Sequence, residues 1–453
     1  MRLKSINPYT ASLIEEFEEY SDLKLDQILT QSVYAFKKWR STDFILRKLL
    51  LKKAADILTD NVREYALTIT TEMGKPISES KAEVEKCAWV CNYYAENGEA
   101  FLKEEPAGTD AFLSYVSYEP LGPVLGIMPW NFPFWQVFRF AVPTIMAGNS
   151  VLLKHASNVQ GCARHIENIF VKSGFPPDLF RNLILGSKRV GKIIEHEAVK
   201  AVSLTGSEFA GQKVAEVAGR NIKKSLLELG GSNAFVVLDD ADIEKAAGIG
   251  VRARMMNAGQ SCIAAKRFII CEKASDLFIK LFLEKLLQLK AGDPSRKDTN
   301  IGPLASVEQA DGVENQVKKS VEMGARILTG GNRENAFYSP TILLDVKPGM
   351  PVFDEEVFGP VAPVIIARDT AEAVSLANMT KFGLGVSLFT NDLEKARKLV
   401  SEFKDGAVFI NDLVKSDPRL PFGGTGRSGY GRELAIQGIR EFVNVKTVYI
   451  KKL

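Results

Sequence analysis

Cys262 stands in the segment Asn257-Ala-Gly-Gln-Ser-Cys-Ile-Ala-Ala. A thiolate is a strong nucleophile toward carbonyl carbon, so the setting of this cysteine decides its chemistry. Gly259 relieves the backbone constraint just before it. A loop feeding a helix here would aim the sulfur at a helix N-terminus, whose dipole favours the thiolate. The alternative is the common fate of a cysteine, a small buried apolar side chain.

Glu228 lies in Leu226-Leu-Glu-Leu-Gly-Gly-Ser-Asn. An acid among leucines is expensive to bury, and desolvation raises its pKa toward that of a general base working near neutral pH. A strand-edge carboxylate paired with a lysine or a backbone N–H would fit the same residues. Asn131, in Pro129-Trp-Asn-Phe-Pro, follows an expected strand. Held by stiff neighbours, its carboxamide is a suitable oxyanion donor; an Asx-type turn is the competing interpretation. Lys154 ends the run Val151-Leu-Leu-Lys. Ligands of open α/β sheets bind at such strand ends, although a solvated lysine would also fit. The turn Leu204-Thr-Gly-Ser-Glu-Phe-Ala-Gly, with Gly206 and Ser207, can admit a pyrophosphate at a helix start. It does not match GxGxxG, so a plain turn stays open.

These side chains need a scaffold. Residues 10–105 read as helical, with Leu25, Ile28, Leu29, Val33 and Phe36 at helical spacing and Ser41-Thr42-Asp43 placed to cap a second helix through residue 58. Beyond residue 112, short β-rich runs at 124–128, 151–153, 182–185 and 201–204 alternate with stretches long enough for crossover helices, such as 159–173. After Gly230-Gly231 a second series follows at 235–238, 268–271, 363–366, 386–389 and 407–410. The expected fold is α/β, with two doubly wound, mostly parallel open sheets and a boundary near residue 230. Residues 112–118 and 441–451 stand apart as ribbon strands, open to strand addition from another subunit or simply edge strands within one chain.

Composition narrows the function. With 58 basic and 55 acidic residues the net charge is +3, which gives no reason to expect nucleic acid as partner. Five cysteines without a regular framework argue against a secreted disulfide scaffold. The first eleven residues have no apolar h-region, and no apolar run reaches the roughly 18 residues of a membrane span. A soluble cytoplasmic protein with no membrane partner is expected. The three histidines, His155, His165 and His196, show no ligand-like grouping, so no metal is expected.

Taken together, Pro129-Trp-Asn-Phe-Pro-Phe, Leu204-Thr-Gly-Ser, Leu227-Glu-Leu-Gly-Gly, Asn257-Ala-Gly-Gln-Ser-Cys, Glu355-Glu-Val-Phe-Gly-Pro and Pro421-Phe-Gly-Gly closely resemble the aldehyde dehydrogenase superfamily, over nearly the whole chain and in that family's order. The resemblance implies an NAD- or NADP-dependent oxidation of an aldehyde through a thioester on Cys262. Asn131 and the Cys262 N–H would hold the oxyanion, and Glu228 would activate the hydrolytic water. It further implies cofactor contacts from Trp130, Lys154, Gly206, Ser207, Glu356 and Phe358. It implies a Rossmann-like cofactor domain at 1–110 and 120–229, a catalytic domain at 230–432, and an oligomerisation ribbon at 111–119 and 433–453 that makes a homodimer or homotetramer. NAD-preferring members often carry glutamate three residues after the lysine; here it is Ser157. Without that carboxylate a 2′-phosphate is not repelled, so NADP should be tolerated.

Within the family the likeness is nearest to bacterial succinate-semialdehyde dehydrogenases, through Phe134-Trp-Gln-Val-Phe-Arg, Leu153-Lys-His-Ala-Ser-Asn-Val, Ala264-Ala-Lys-Arg-Phe-Ile-Ile and Ser428-Gly-Tyr-Gly-Arg-Glu. It places a substrate-binding arginine at Arg139, where a guanidinium can hold a far carboxylate; an inter-element salt bridge is the alternative. A second arginine found in some relatives six residues before the nucleophile is here Met256, leaving Arg254 and Arg419 as candidates for that role. Ala264 stands where a disulfide switch would need cysteine.

Overall fold

The computed structural model describes residues 2–452. Helices Asp22–Trp39, Phe44–Asp60, Val62–Met73, Ile77–Phe101 and Trp135–Met146, with the crossover helices Gln160–Lys172 and Glu208–Arg220, surround a six-stranded sheet. Its order is Gly429–Tyr430, Lys224–Glu228, Ala201–Thr205, Pro123–Met128, Ser150–His155, Phe180–Asn182. All pairings are parallel except that of Gly429–Tyr430. Parallel strands are apolar on both faces because helices cover both. Val124, Val151 and Ala201 accordingly point into one core with Trp39 and Phe138. Their neighbours Leu125, Leu152 and Val202 point into another with Ile28 and Val214.

The second sheet has seven strands, ordered Arg326–Thr329, Thr341–Leu344, Val361–Ala367, Ala265–Cys271, Asn233–Val237, Val386–Phe389, Val408–Ile410. Only the pairing of Arg326–Thr329 with Thr341–Leu344 is antiparallel. Phe235, Phe268, Phe278 and Phe282 fill its core. The chain thus has the two open α/β sheets expected, and its last part returns to the first sheet through Gly429, which pairs with Glu228.

Outside both sheets, Leu113–Pro120 and Val443–Ile450 pair antiparallel over eight residues, with Glu105–Pro106 on the far side. The outer edge of Val443–Ile450 has no strand beside it among the described residues.

Two expectations need correction. Residues 13–18 are not helical: Leu13–Glu18 pairs with Arg2–Ile6 in a hairpin. Burying Leu3 and Phe17 across that pairing outweighs the weak helix preference of the glutamates. The strand expected at 182–185 lies at Phe180–Asn182, because pairing with Val151, Leu152 and Leu153 sets its position. The second helix begins as expected: the Asp43 side chain accepts the Leu46 N–H.

Candidate active site

Helix Ile243–Met255 ends in a short 3-10 turn, Met256–Gly259, and Cys262 sits in the loop between that turn and strand Ala265–Cys271. The element after the cysteine is therefore a strand, and the expected helix N-terminus is absent. Asn257, Ala258 and Gly259 are left-handed, with φ of 53°, 50° and 76°. Strain of this kind persists only where surroundings fix it. Gly259 is obligatory, since a Cβ there would lie 2.2 Å from the Gly359 carbonyl oxygen. Arg254 holds the turn by donating to the carbonyls of Ala265 and Val357, each at 2.9 Å, and of Gly359. Glu79 accepts the Asn257 N–H at 2.7 Å. Lys266 donates from Nζ to the carbonyl oxygens of Ser261 (2.8 Å) and Cys262 (2.7 Å).

Burial pushes the Cys262 thiol up to about 11, and the positive charges of Arg139 and Lys266 only partly oppose this. At neutral pH the sulfur is a thiol that needs a base, not a preformed thiolate.

Glu228 ends strand Lys224–Glu228 and is 2% exposed. Its Oε1 has no hydrogen-bond partner among the described residues. Burial, and then the nearby Glu433 carboxylate, hold its pKa well above the usual carboxylate range. A carboxylate with a raised pKa is a stronger proton acceptor than an ordinary one. Asn131 is buried in the turn after Pro123–Met128. Its Nδ2 donates to the Gln260 carbonyl at 3.0 Å, and its own carbonyl accepts from Asn257 Nδ2 at 2.8 Å. One amide hydrogen of Asn131 remains for another acceptor.

Two cavities meet at Cys262. The first, of about 260 Å³, is lined by Trp130, Asn131, Gly206, Ser207, Glu228, Glu356 and Phe358. Trp130 and Phe358 meet edge to face, their centroids 5.8 Å apart. Ser207 caps helix Glu208–Arg220 by accepting the Ala210 N–H and lines the cavity at that helix start. Glu356 Oε1 accepts the Gly231 N–H at 3.1 Å and pairs with Lys266 Nζ at 2.9 Å. Lys154 is not part of this lining. It is buried near the end of strand Ser150–His155, and burial lowers its pKa. Ser157 opens onto a separate cavity of about 710 Å³ beside Glu19, Asp22, Lys188 and Arg189.

The second cavity at Cys262, of about 180 Å³, is walled by Phe132, Trp135, Met256 and Phe422 and reaches Lys86, Arg139 and Ser416. Gln136 borders both cavities. Arg139 lies on helix Trp135–Met146 and is 1% exposed. It forms an ion pair with Glu433, donates to Thr205 Oγ1 at 3.4 Å and lies over Phe422. An inter-element salt bridge is therefore present at the very position where the resemblance puts a substrate contact. The two alternative arginines do not reach this cavity. Arg254 is spent on backbone carbonyls, and Arg419 is paired with Asp417 outside the cavity lining.

Lys266, Glu433 and Lys86 escaped sequence reasoning. Lys266 has a local signal, a charge at the mouth of an apolar strand. Glu433 closes the motif Ser428-Gly-Tyr-Gly-Arg-Glu but carried no role there, Lys86 lies outside every motif, and only the fold brings them near the others.

Two Rossmann-like sheets, with a cysteine bordering two cavities between them, define an α/β protein of dinucleotide-binding architecture. The chain belongs to the aldehyde dehydrogenase family, whose model matches residues 1–448. It is 46% identical over 453 residues to a protein of Synechocystis sp. named "Probable succinate-semialdehyde dehydrogenase (NADP+)", covering 99% of this chain and 100% of that one. It is 44% identical over 456 residues to the Mycobacterium tuberculosis succinate-semialdehyde dehydrogenase (NADP+) 1, with the same coverage. The crystal structure of succinic semialdehyde dehydrogenase from Streptococcus pyogenes, in complex with NADP+ as the cofactor, superposes with a TM-score of 0.97 at 36% identity, covering 99% of this chain and 100% of that one.

Proposed function

We propose that this protein oxidises succinate semialdehyde to succinate with NADP or NAD as acceptor. The observation that carries the proposal is the position of Cys262 at the junction of two cavities, one with polar turns and aromatic walls and one with cationic side chains in its lining.

In the second cavity the aldehyde lies with its carbonyl carbon at Cys262 and its carboxylate toward Arg139. The thiol gives up its proton to solvent as the sulfur adds. The remaining Asn131 amide hydrogen and the Cys262 N–H stabilise the oxyanion. The first cavity suits a nicotinamide dinucleotide. The helix N-terminus at Ser207 can face a pyrophosphate, Glu356 can accept ribose hydroxyls, and the cleft beside Trp130 and Phe358 leads directly to the thiol. When bound, that cofactor supplies the hydride acceptor. Glu228 then takes a proton from the water that hydrolyses the Cys262 thioester. Around Ser157, Lys188 is exposed with no ion-pair partner among the described residues, while Glu19 and Asp22 are both engaged by Arg189. That balance favours a 2′-phosphate, with Lys154 toward the ribose.

The domain roles follow the same division: the six-stranded sheet carries the dinucleotide turns, and the seven-stranded sheet carries Cys262. The free outer edge of Val443–Ile450, with Val445, Tyr449 and Ile450 exposed, is suited to pairing with another subunit in a homodimer or homotetramer. Among the described residues no helix is long and apolar enough to cross a membrane. All five cysteines are free, as a reducing cytoplasm would keep them.

The test is a steady-state comparison of kcat/KM for succinate semialdehyde and hexanal with each cofactor. Succinate semialdehyde with NADP should be the best pair. Equal values for the two aldehydes would remove the carboxylated substrate.

A further inference from the structure

Five charged residues line the second cavity at Cys262: Glu79, Glu83, Lys86, Arg139 and Lys415. Four of them are already engaged. Glu83 pairs with Lys75 and accepts the N–H groups of Phe134 (2.8 Å) and Trp135 (2.9 Å). Glu79 accepts the Asn257 N–H, Lys415 pairs with Asp412 at 2.6 Å, and Arg139 pairs with the buried Glu433. Lys86 is the exception, with no carboxylate within 4.0 Å of its Nζ among the described residues. The nearby Asp417 is held by Arg419 through both carboxylate oxygens, at 2.9 and 2.7 Å.

The Lys86 ammonium is nevertheless fixed in place. It donates to Ser416 Oγ at 2.9 Å and lies 4.2 Å from the centre of the Trp135 ring. Trp135 Nε1 donates to the same Ser416 oxygen at 3.0 Å. With two donors pointed at its oxygen, Ser416 has its hydroxyl hydrogen left to give. The result is an ammonium and a hydroxyl donor side by side, half-buried in an apolar-walled cavity that begins at the thiol. A partly desolvated cation without a counter-ion gains most from an anionic ligand.

We propose that Lys86, backed by the Ser416 hydroxyl, receives the far carboxylate of the aldehyde substrate and sets the preference for carboxylated over uncharged aldehydes. Arg139 lines the same cavity and is already paired with Glu433. This rests on the substrate class proposed above and names the group that reads it.

The test compares wild type, Lys86→Met and Lys86→Arg in three measurements: the ratio of kcat/KM for succinate semialdehyde to that for hexanal, the separate kcat and KM values, and competitive inhibition by succinate. Loss of one charge-assisted contact should lower the ratio about tenfold or more in Lys86→Met, through KM. Succinate inhibition should weaken in parallel, and Lys86→Arg should recover most of both. Thermal melting of each variant identifies any general loss of folding. A wild-type preference that survives intact in well-folded Lys86→Met would overturn the role of Lys86 alone. A wild type with no preference would overturn the substrate class and this role together.

Discussion

Lys266 Nζ lies 2.9 Å from Glu356 Oε1 while it also holds the carbonyl oxygens of Ser261 and Cys262. One buried ammonium thus ties the backbone of the Cys262 turn to a carboxylate in the first cavity. The sulfur and the Glu356 wall of that cavity are positioned as a unit, and a shift in either is felt by the other.

Lys266→Met should therefore reduce kcat far more than a surface substitution would. It frees two carbonyls, leaves Glu356 without its cation and loosens the turn. Misplacement of the reacting sulfur by an ångström costs roughly a hundredfold. Steady-state kinetics with a single-turnover control measure it; a kcat within twofold of wild type would show that the clamp is dispensable.

The pH dependence of alkylation reports the thiol. Cys262 is pushed up to about 11, so it ionises only as the pH rises toward that value, and below it thiolate is scarce. Inactivation of the cofactor-free protein by iodoacetamide should accelerate about tenfold for each pH unit through the neutral and mildly alkaline range. A rate already flat near neutrality would mean that the sulfur is ionised in the free enzyme.

The Arg139–Glu433 pair should behave as a buried ion pair. Removing Arg139 alone leaves a stranded carboxylate, at a cost of about 3–5 kcal/mol in stability. The double variant Arg139→Leu/Glu433→Leu should recover much of that loss. Chemical denaturation of the two variants decides it, and equal losses in both would argue against a stability role for the pair.

Ser157→Glu should turn cofactor choice toward NAD. A carboxylate beside the 2′-phosphate is a like-charge contact, so kcat/KM with NADP should fall on the order of a hundredfold while that with NAD changes little. An unchanged cofactor ratio would place the 2′-phosphate elsewhere.

Much of this was legible in the sequence because the informative signals were local. Alternating apolar runs marked most strands, and Ser41-Thr42-Asp43 marked a helix start. Cys262, Glu228 and Asn131 stood in distinctive motifs, and the fold brings them to one cavity. What escaped depended on distance in sequence or on competition between effects. The helix dipole expected at Cys262 failed because the loop that carries it leads into strand Ala265–Cys271 and not into a helix. Arg139 gave no sign of Glu433, 294 positions later, and Lys86 gave none of Ser416, which the fold brings to 2.9 Å.

The most direct measurement is a rapid-mixing experiment on Glu228→Gln with succinate semialdehyde and NADP, followed by mass spectrometry of the quenched protein. The account predicts a burst of about one reduced cofactor per active site, then a stall, with a succinyl group on Cys262. Steady turnover without a stall, or a quenched protein with Cys262 unmodified, would contradict it.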